Sequence, residues 1–160
     1  MIICYNLCMK KIRACAIIIN IDKVMLLWRK INGKAYFVFP GGGKELNETL
    51  EEAVVREAFE ETSIKVMVDK LLYKIIDENN EHNFYLCSYI SGEPKLGIFN
   101  EHLDKSETNQ YEPMWKNIEE ITNLQILPLE ARDWFINDYK NNFVDTPREQ
   151  TILINDRRKK

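Results

Sequence analysis

Residues 39–64 read FPGGGKELNETLEEAVVREAFEETSI, and this stretch decides the fold predicted for the chain. Three glycines follow Pro40, and Thr49 stands where a helix can begin. Thr49 and Glu52 have the spacing of a capping box, so we predict a helix from Leu50 to Thr62. Glycines ahead of a helix allow the backbone to approach a ligand more closely than side chains would permit.

The predicted helix carries an acidic arc. At about 100° per residue, Glu57, Glu60 and Glu61 fall on one side of the helix, where the preceding turn is apolar. Like charges at this spacing repel each other, and a cation between them would explain the arrangement. Mg²⁺ and Mn²⁺ prefer oxygen ligands of this kind. The alternative is a solvated acidic face, and the adjoining glycines favour a metal-bound phosphate substrate instead.

These residues resemble the Nudix box, whose pattern is G-x5-E-x7-R-E-U-x-E-E-x-G-U, with U a bulky aliphatic residue. The match begins at Gly42 and ends at Ile64, and every glycine, arginine and glutamate position through Glu61 is filled by the matching residue. The departures are Ala58, where the family has a larger aliphatic residue, and Ser63, where it has glycine. Neither departure removes a carboxylate, although Ser63 weakens the expected helix C-cap.

The resemblance implies an α/β fold, namely a Nudix-type α/β/α sandwich with a mixed β-sheet, and it implies roles for single residues. The implied ligands of Mg²⁺ or Mn²⁺ are the carbonyl of Gly41 and the side chains of Glu57, Glu60 and Glu61. Glu57 and Glu61 are also implied to be catalytic, and Arg56 to fix the rotamer of a box glutamate. Glu48 is either the partner of Arg56, or a weak outer ligand, or a first-turn carboxylate favoured by the helix dipole.

Residues outside the box are candidates for the base and the substrate contacts. The general base stays open among Glu101, Glu107 and Glu112, and we favour Glu101 because it follows an apolar anchor. Residues 109–115 resemble an N-x-Y-x-P-x-W element of some family members, which makes Asn109 and Tyr111 candidates for binding a nucleobase. The alternative for Tyr111 is a core or rim aromatic. Arg29 is a candidate phosphate contact, with a solvated surface position as its alternative.

The strands are predicted around this helix from the apolar patterns of the remaining chain. We expect strands at 12–19, 24–28, 36–39, 64–68, 71–77 and 82–90, a polar loop at 95–112, and a closing helix at 129–139. Residues 1–9 are expected to form an N-terminal extension, 10–142 the domain, and 143–160 a flexible C-terminal tail.

The composition is that of a single globular domain, with 160 residues, 45% of them hydrophobic and 29% charged. A net charge of −3 offers no general attraction for nucleic acid, and no apolar segment reaches the roughly 18 residues of a membrane span. Four cysteines without a C-x-x-C pair favour a reducing cytoplasm over a disulfide framework. A monomer and a homodimer both stay open.

The implied reaction is hydrolysis of a nucleoside diphosphate linked to another group. We favour a nucleoside triphosphate as substrate, ordinary or oxidised (8-oxo-dGTP type), giving a monophosphate and pyrophosphate. ADP-ribose, dinucleoside polyphosphates and capped RNA are alternatives, and so is a non-catalytic nucleotide sensor built on the same fold. The expected partner is a small nucleotide.

Overall fold

The computed structural model describes residues 10–95 and 109–152. Its elements, in chain order, are the strands β1 (Lys11–Asn20), β2 (Lys23–Ile31), β3 (Lys34–Val38) and β4 (Gly41–Gly43), helix α1 (Leu50–Thr62), strands β5 (Lys65–Ile76), β6 (Asn80–Ser91) and β7 (Asn109–Asn117), a 3-10 helix (Ile118–Asn123), strand β8 (Ile126–Leu127), helix α2 (Leu129–Lys140) and strand β9 (Arg148–Thr151). The nine strands of the two described ranges form one sheet, in which β1 and β6, β3 and β8, and β5 and β9 run parallel.

The two α-helices cover opposite faces of this sheet. Neighbouring residues of β1 point to opposite faces, so Ala16 packs in the core under α1 and Ile17 packs in the core under α2. Helix α1 buries Ala53, Val54 and Ala58, whereas α2 buries Ala131 and Phe135. The predicted α/β/α sandwich with a mixed sheet is therefore confirmed. None of the helices in the described parts of the chain is both long and apolar enough to cross a membrane.

Helix α1 has the boundaries that its local sequence predicts. The Thr49 side chain accepts a hydrogen bond from the Glu52 N–H, and the Glu52 side chain accepts one from the Thr49 N–H, which completes the capping box. At the other end Ser63 is left-handed, with φ 61° and ψ 18°. Glycine is favoured over serine in this conformation. The helix therefore ends at Ser63 in a conformation that costs serine more than glycine, as the sequence predicts.

The candidate site lies where β1 and β2 separate. In the described structure the two strands are paired at their turn, through Ile19 with Val24 and Asn20 with Lys23. Further from the turn β1 pairs with β4 and β2 pairs with β3, while β6 and β7 flank β1 and β2 along nearly their whole lengths. The separation leaves an opening in the sheet, and the glycines of β4 lie beside β1 at its edge.

Two stretches form longer strands than the sequence predicts. Residues 64–68 and 71–77 were expected as separate strands, but β5 is continuous and carries register shifts against β6 on either side of Lys70 and Leu71. The polar residues Asp69 and Lys70 lie at these irregularities, and the strand continues past them. The predicted loop 95–112 overlaps the start of β7, because Asn109 to Glu112 pair with β2 despite their polar side chains.

The chain after α2 is the clearest difference from prediction. A flexible tail was expected from residue 143, yet Phe143 is buried and β9 pairs with β5. Arg148 of β9 also donates to the buried carboxylate of Asp138, at 3.0 and 2.5 Å. The pairing of β9 with β5 joins residues more than 70 positions apart, which explains why local polarity suggested a tail. Residues 1–9 and 153–160 lie outside the described residues.

Candidate functional site

Arg56 of α1 holds the acidic side chains of the site together. Its Nε and Nη2 donate to the two carboxylate oxygens of Glu48, at 3.0 and 2.6 Å. Its Nη1 donates both to Glu57 Oε1 at 2.9 Å and to Glu60 Oε2 at 3.2 Å, and Nη2 also reaches the Gly43 carbonyl at 3.0 Å. Forked, charge-assisted hydrogen bonds of this kind fix carboxylate rotamers. The structure thus places Glu48 as a partner of Arg56.

The glycines of β4 bring the backbone against two carboxylates. The Gly41 N–H donates to Glu61 Oε2 at 2.7 Å. A Cβ built on Gly41 would stand 2.4 Å from the Ala14 carbonyl oxygen, and one built on Gly42 would stand 2.3 Å from Glu57 Oε1. Because real Cβ atoms do not approach other atoms so closely, side chains at these two positions are incompatible with the observed arrangement.

Burial makes two of the clustered carboxylates resist ionisation. It raises the pKa of Glu61 to about 7, in spite of the hydrogen bond from the Gly41 N–H, and the nearby Glu57 carboxylate adds to the rise. Burial also raises the pKa of Glu57, against the hydrogen bond from Arg56. A positive charge beside such carboxylates favours their ionised form. Their surroundings are therefore suited to a cation.

A divalent cation fits this site by ligand chemistry. As they stand, no three His, Cys, Asp or Glu side chains within residues 10–95 and 109–152 converge closely enough to hold a metal ion. Glu57 and Glu60 each give an oxygen to Arg56 Nη1, so a cation would share these oxygens or displace Arg56 from them. Carboxylate and carbonyl oxygens are nevertheless the donors that Mg²⁺ and Mn²⁺ prefer. Added positive charge would favour the ionised form of Glu61, whose pKa is raised.

A cavity of about 310 Å³ adjoins Glu61 and Gly41 at the opening between β1 and β2. Its apolar and aromatic wall includes Leu27, Phe39, Phe84, Tyr111, Leu127 and Pro128. Arg13, Arg29 and His82 are its basic residues. The volume lies near the lower end of the range of about 300–1,000 Å³ typical of small-molecule sites. Three glutamates of α1, namely Glu57, Glu60 and Glu61, are called the acidic cluster below. The cavity combines an apolar wall with cationic groups close to this cluster.

Strand pairing explains which basic residues meet at this cavity. Arg13 lies opposite His82 in the β1–β6 ladder, and Arg29 lies opposite Tyr111 in the β2–β7 ladder. Sequence reasoning missed Arg13 and His82 as cavity residues. The His82 ring is held by Asp77, with 3.2 Å between Nε2 and Oδ2. From the sequence alone, Arg13 is only a residue near the start of a buried strand. The sequence does not indicate that β4 and β6 pair with this strand and bring Arg13 to the cavity.

The structure gathers most of the predicted site residues and leaves some elsewhere. Those brought together at the acidic cluster are Gly41, Arg56, Glu57, Glu60 and Glu61, and those lining the adjoining cavity are Arg29 and Tyr111. Tyr111 is also buried, so it is a core aromatic and a cavity residue at once. Asn109 opens β7 opposite Ile31 and does not line the cavity.

The candidates for the general base fall into two groups. Glu101 and Glu107 lie outside the described residues, so the role of Glu101 stays a prediction. Glu112 is exposed on β7, where it pairs with Trp28 of β2.

The sequence comparisons find one family. The model of the NUDIX domain matches residues 9–137. A protein of Methanocaldococcus jannaschii named ADP-ribose pyrophosphatase is 40% identical over 83 residues. That match covers 48% of this chain and 49% of the archaeal protein, so the chain spans about half the length of that curated relative.

Solved structures share the fold across most of the chain. A NUDIX hydrolase from Nitrosomonas europaea superimposes with a TM-score of 0.67 at 19% identity, covering 91% of this chain and 78% of that one. A MutT protein from Methanosarcina mazei Go1 superimposes with a TM-score of 0.61 at 26% identity, covering 83% and 95% of the two chains.

Proposed function

The chain belongs to the NUDIX domain family, and on that premise we propose that it hydrolyses a nucleoside diphosphate linked to another group. The observation that carries the proposal is the acidic cluster on α1, which borders a cavity with two arginines. In the reaction one water is consumed, one P–O bond of the anhydride breaks, and two phosphate-bearing products and a proton form. Such reactions require positioning and charge neutralisation more than covalent chemistry from the protein.

We propose that the site uses Mg²⁺ or Mn²⁺. The ligands would be the side chains of Glu57, Glu60 and Glu61 and the carbonyl of Gly41. When bound, the cation neutralises phosphate charge and lowers the pKa of a coordinated water. Glu57 and Glu61 are the catalytic carboxylates of this proposal, and Glu101 is its candidate general base.

The chain's own residues then have separate tasks. Arg56 restrains Glu57 and Glu60 through its Nη1 and Glu48 through its Nε and Nη2, so the carboxylates are oriented before a ligand arrives. The Gly41 N–H restrains Glu61 in the same way. We assign the binding of a substrate phosphate group to Arg29, which lies on the cavity wall. We assign contact with the nucleobase to Tyr111, which lies opposite Arg29 in the sheet and lines the cavity.

We favour a nucleoside triphosphate as the substrate, ordinary or of the oxidised 8-oxo-dGTP type. A cavity of about 310 Å³ with an aromatic wall suits one nucleoside better than two. The triphosphate would then extend toward the acidic cluster. The products would be a nucleoside monophosphate and pyrophosphate.

ADP-ribose is the second candidate substrate. The observation in its favour is the relative named ADP-ribose pyrophosphatase, 40% identical over 83 residues. Residues outside the box determine the choice of substrate, so a match over about half the chain leaves both candidates standing. Hydrolysis of ADP-ribose would release AMP and ribose 5-phosphate.

A panel assay with Mg²⁺ tests the proposal and separates the two candidates. Nucleoside triphosphates, 8-oxo-dGTP, ADP-ribose and dinucleoside polyphosphates are incubated with the protein, and the products are identified by chromatography. Release of pyrophosphate supports the triphosphate, and release of AMP from ADP-ribose supports the second candidate. Binding of a nucleotide without any product would indicate a sensor and overturn the enzymatic proposal.

Matched variants show whether the acidic cluster carries the activity. Glu60→Gln and Glu61→Gln are expected to lower kcat by about a hundredfold or more while far-UV circular dichroism stays unchanged. Glu119→Gln, at an exposed position of the 3-10 helix, is the control and should keep the wild-type rate. Wild-type turnover in either cluster variant would refute the ligand assignment.

A further inference from the structure

Arg13 is bound to the atom that the proposed cation would need. Its Nη2 donates to the Gly41 carbonyl oxygen at 3.1 Å. This carbonyl is the proposed backbone ligand of the cation, and the neighbouring N–H of the same residue is already held by Glu61. Both backbone polar groups of Gly41 are thus engaged by side chains.

The charge of Arg13 acts on the same carboxylates as the proposed cation. Arg13 binds the carbonyl of Gly41, whose N–H is bound by Glu61, and Arg13 and Glu61 line the same cavity. Arg56 is paired with the neighbouring carboxylate of Glu57, at 2.9 Å. Arg29 is a third guanidinium group and lies on the wall of the cavity that Glu61 also lines. These groups supply positive charge that a divalent cation would also supply, and like charges at such a site oppose each other.

Arg13 also lines the cavity that adjoins the cluster. Its backbone is fixed there by the sheet, opposite Gly43 on one side and His82 on the other. The buried Asn83 adds a hydrogen bond to the Arg13 carbonyl at 3.4 Å. The backbone is held, whereas the long side chain is half-buried, contacts Gly41 and lines the cavity.

We propose that Arg13 exchanges one hydrogen-bond partner for another: it releases the Gly41 carbonyl and binds a substrate phosphate. The inference rests on the proposed function, because it needs a cation at the cluster and a phosphorylated ligand in the cavity. Without a cation, Arg13 donates a hydrogen bond to the Gly41 carbonyl, and its positive charge partly offsets the negative charge of the nearby glutamates. With a cation and a nucleotide bound, the carbonyl is a cation ligand and the guanidinium binds a phosphate oxygen in the cavity.

If this exchange occurs, the variant Arg13→Gln should bind Mn²⁺ more tightly and its nucleotide substrate more weakly than the wild type. Replacing Arg13 with glutamine removes both a competing positive charge and the charged donor bound to the Gly41 carbonyl, so the Kd for Mn²⁺ in the absence of nucleotide should fall by about threefold to tenfold. The same change removes a charge-assisted hydrogen bond to phosphate, so the KM for the nucleotide should rise by about tenfold or more. A residue that only supported the fold would weaken both interactions when it is removed.

Two variants serve as controls. Arg13→Lys keeps the charge, and its Kd for Mn²⁺ should stay within about twofold of wild type. Arg29→Gln removes a charge from the same cavity but leaves the hydrogen bond from Arg13 to the Gly41 carbonyl in place. It should raise KM, and any gain in its Mn²⁺ affinity reports the lost charge alone, so the gain should be smaller than that of Arg13→Gln.

Electron paramagnetic resonance of free Mn²⁺ measures the metal affinity, and steady-state kinetics gives kcat and KM. Tighter Mn²⁺ binding together with a raised KM in Arg13→Gln supports the exchange. Unchanged or weaker Mn²⁺ binding in that variant overturns it, provided that the wild type binds Mn²⁺. A wild type that binds no Mn²⁺ and turns over no nucleotide would instead refute the proposed function and, with it, the exchange.

Discussion

The Glu57 carboxylate occupies the space where residue 42 would carry a side chain, since a Cβ on Gly42 would stand 2.3 Å from Glu57 Oε1. The glycine loop and the acidic helix are therefore fitted to each other at this point. The same Oε1 accepts the hydrogen bond from Arg56 Nη1 at 2.9 Å. Moving this one carboxylate would disturb the proposed cation site without touching the core.

We expect Gly42→Ala to damage the site more than the fold. The atom in the way is the end of a flexible side chain, which can turn aside, so the free energy of unfolding should fall by less than about 1 kcal/mol. The displaced Glu57 should weaken Mn²⁺ binding by about tenfold or more. Titration with Mn²⁺ and urea denaturation measure the two effects.

Gly43→Ala is the matched control for this prediction. Within the described residues no heavy atom lies within 4 Å of a Cβ built on Gly43. Its Mn²⁺ affinity and stability should match the wild type. Equal Mn²⁺ affinity in Gly42→Ala and Gly43→Ala would contradict the steric account of the loop.

Ser63→Gly should stabilise the protein by about 0.5–1 kcal/mol, because glycine adopts the left-handed conformation observed at Ser63 without the cost of a side chain. The gain is reduced by the greater freedom of glycine in the unfolded chain and by loss of the 3.1 Å hydrogen bond from Ser63 Oγ to the Lys95 carbonyl. The midpoint of urea denaturation measures the result. Ser63→Ala loses the hydrogen bond and keeps the strain, so it should be less stable than wild type. A glycine variant less stable than the alanine variant would count against this reading of the C-cap.

Glu48 should make the stability depend on pH. The hydrogen bond from Arg56 lowers the pKa of Glu48 to about 2, against the effect of burial, whereas in an unfolded chain it is about 4.3. The ionised carboxylate therefore stabilises the fold above about pH 4.3, and this contribution is lost as the pH falls through about 2. Glu48→Gln should be less stable than wild type at pH 6, and the difference should narrow on acidification. Urea denaturation at several pH values measures it, and a difference that did not vary with pH would rule out the ion pair as its source.

The C-terminal strand should be held by an ion pair inside the fold. Arg148 pairs with Asp138, which is 1% exposed and also accepts a hydrogen bond from Tyr73 at 3.2 Å. Arg148→Ala leaves this carboxylate buried without its charged partner, so the free energy of unfolding should fall by about 2–4 kcal/mol. Glu149→Ala, at the next and exposed position, should change it by less than about 0.5 kcal/mol. Equal stability of the two variants would show that the strand is not anchored in this way.

The elements best predicted from the sequence are those defined by neighbours along the chain. Helix α1 runs from Leu50 to Thr62 as expected, because Thr49 and Glu52 cap it locally. The arc of glutamates follows from the helical period alone. The partnership of Glu48 with Arg56 was one of three readings, and only the folded geometry distinguishes them.

What the sequence could not predict depends on strand pairing. Arg13 meets Gly41 because β1 pairs with β4, a contact between residues 28 positions apart. β9 was expected as tail because its four residues, REQT, carry no apolar pattern, and it is held by pairing with β5 and by Asp138. β7 likewise begins at polar residues that pair with β2.

The central claim is that Glu57, Glu60 and Glu61, with the Gly41 carbonyl, bind a divalent cation. Crystals soaked in Mn²⁺ with a non-hydrolysable nucleotide test it most directly, because anomalous scattering locates manganese without reference to activity. We expect anomalous density within coordination distance of these carboxylates and the nucleotide phosphates. Density elsewhere, or none beside them while the nucleotide is bound, would contradict the claim.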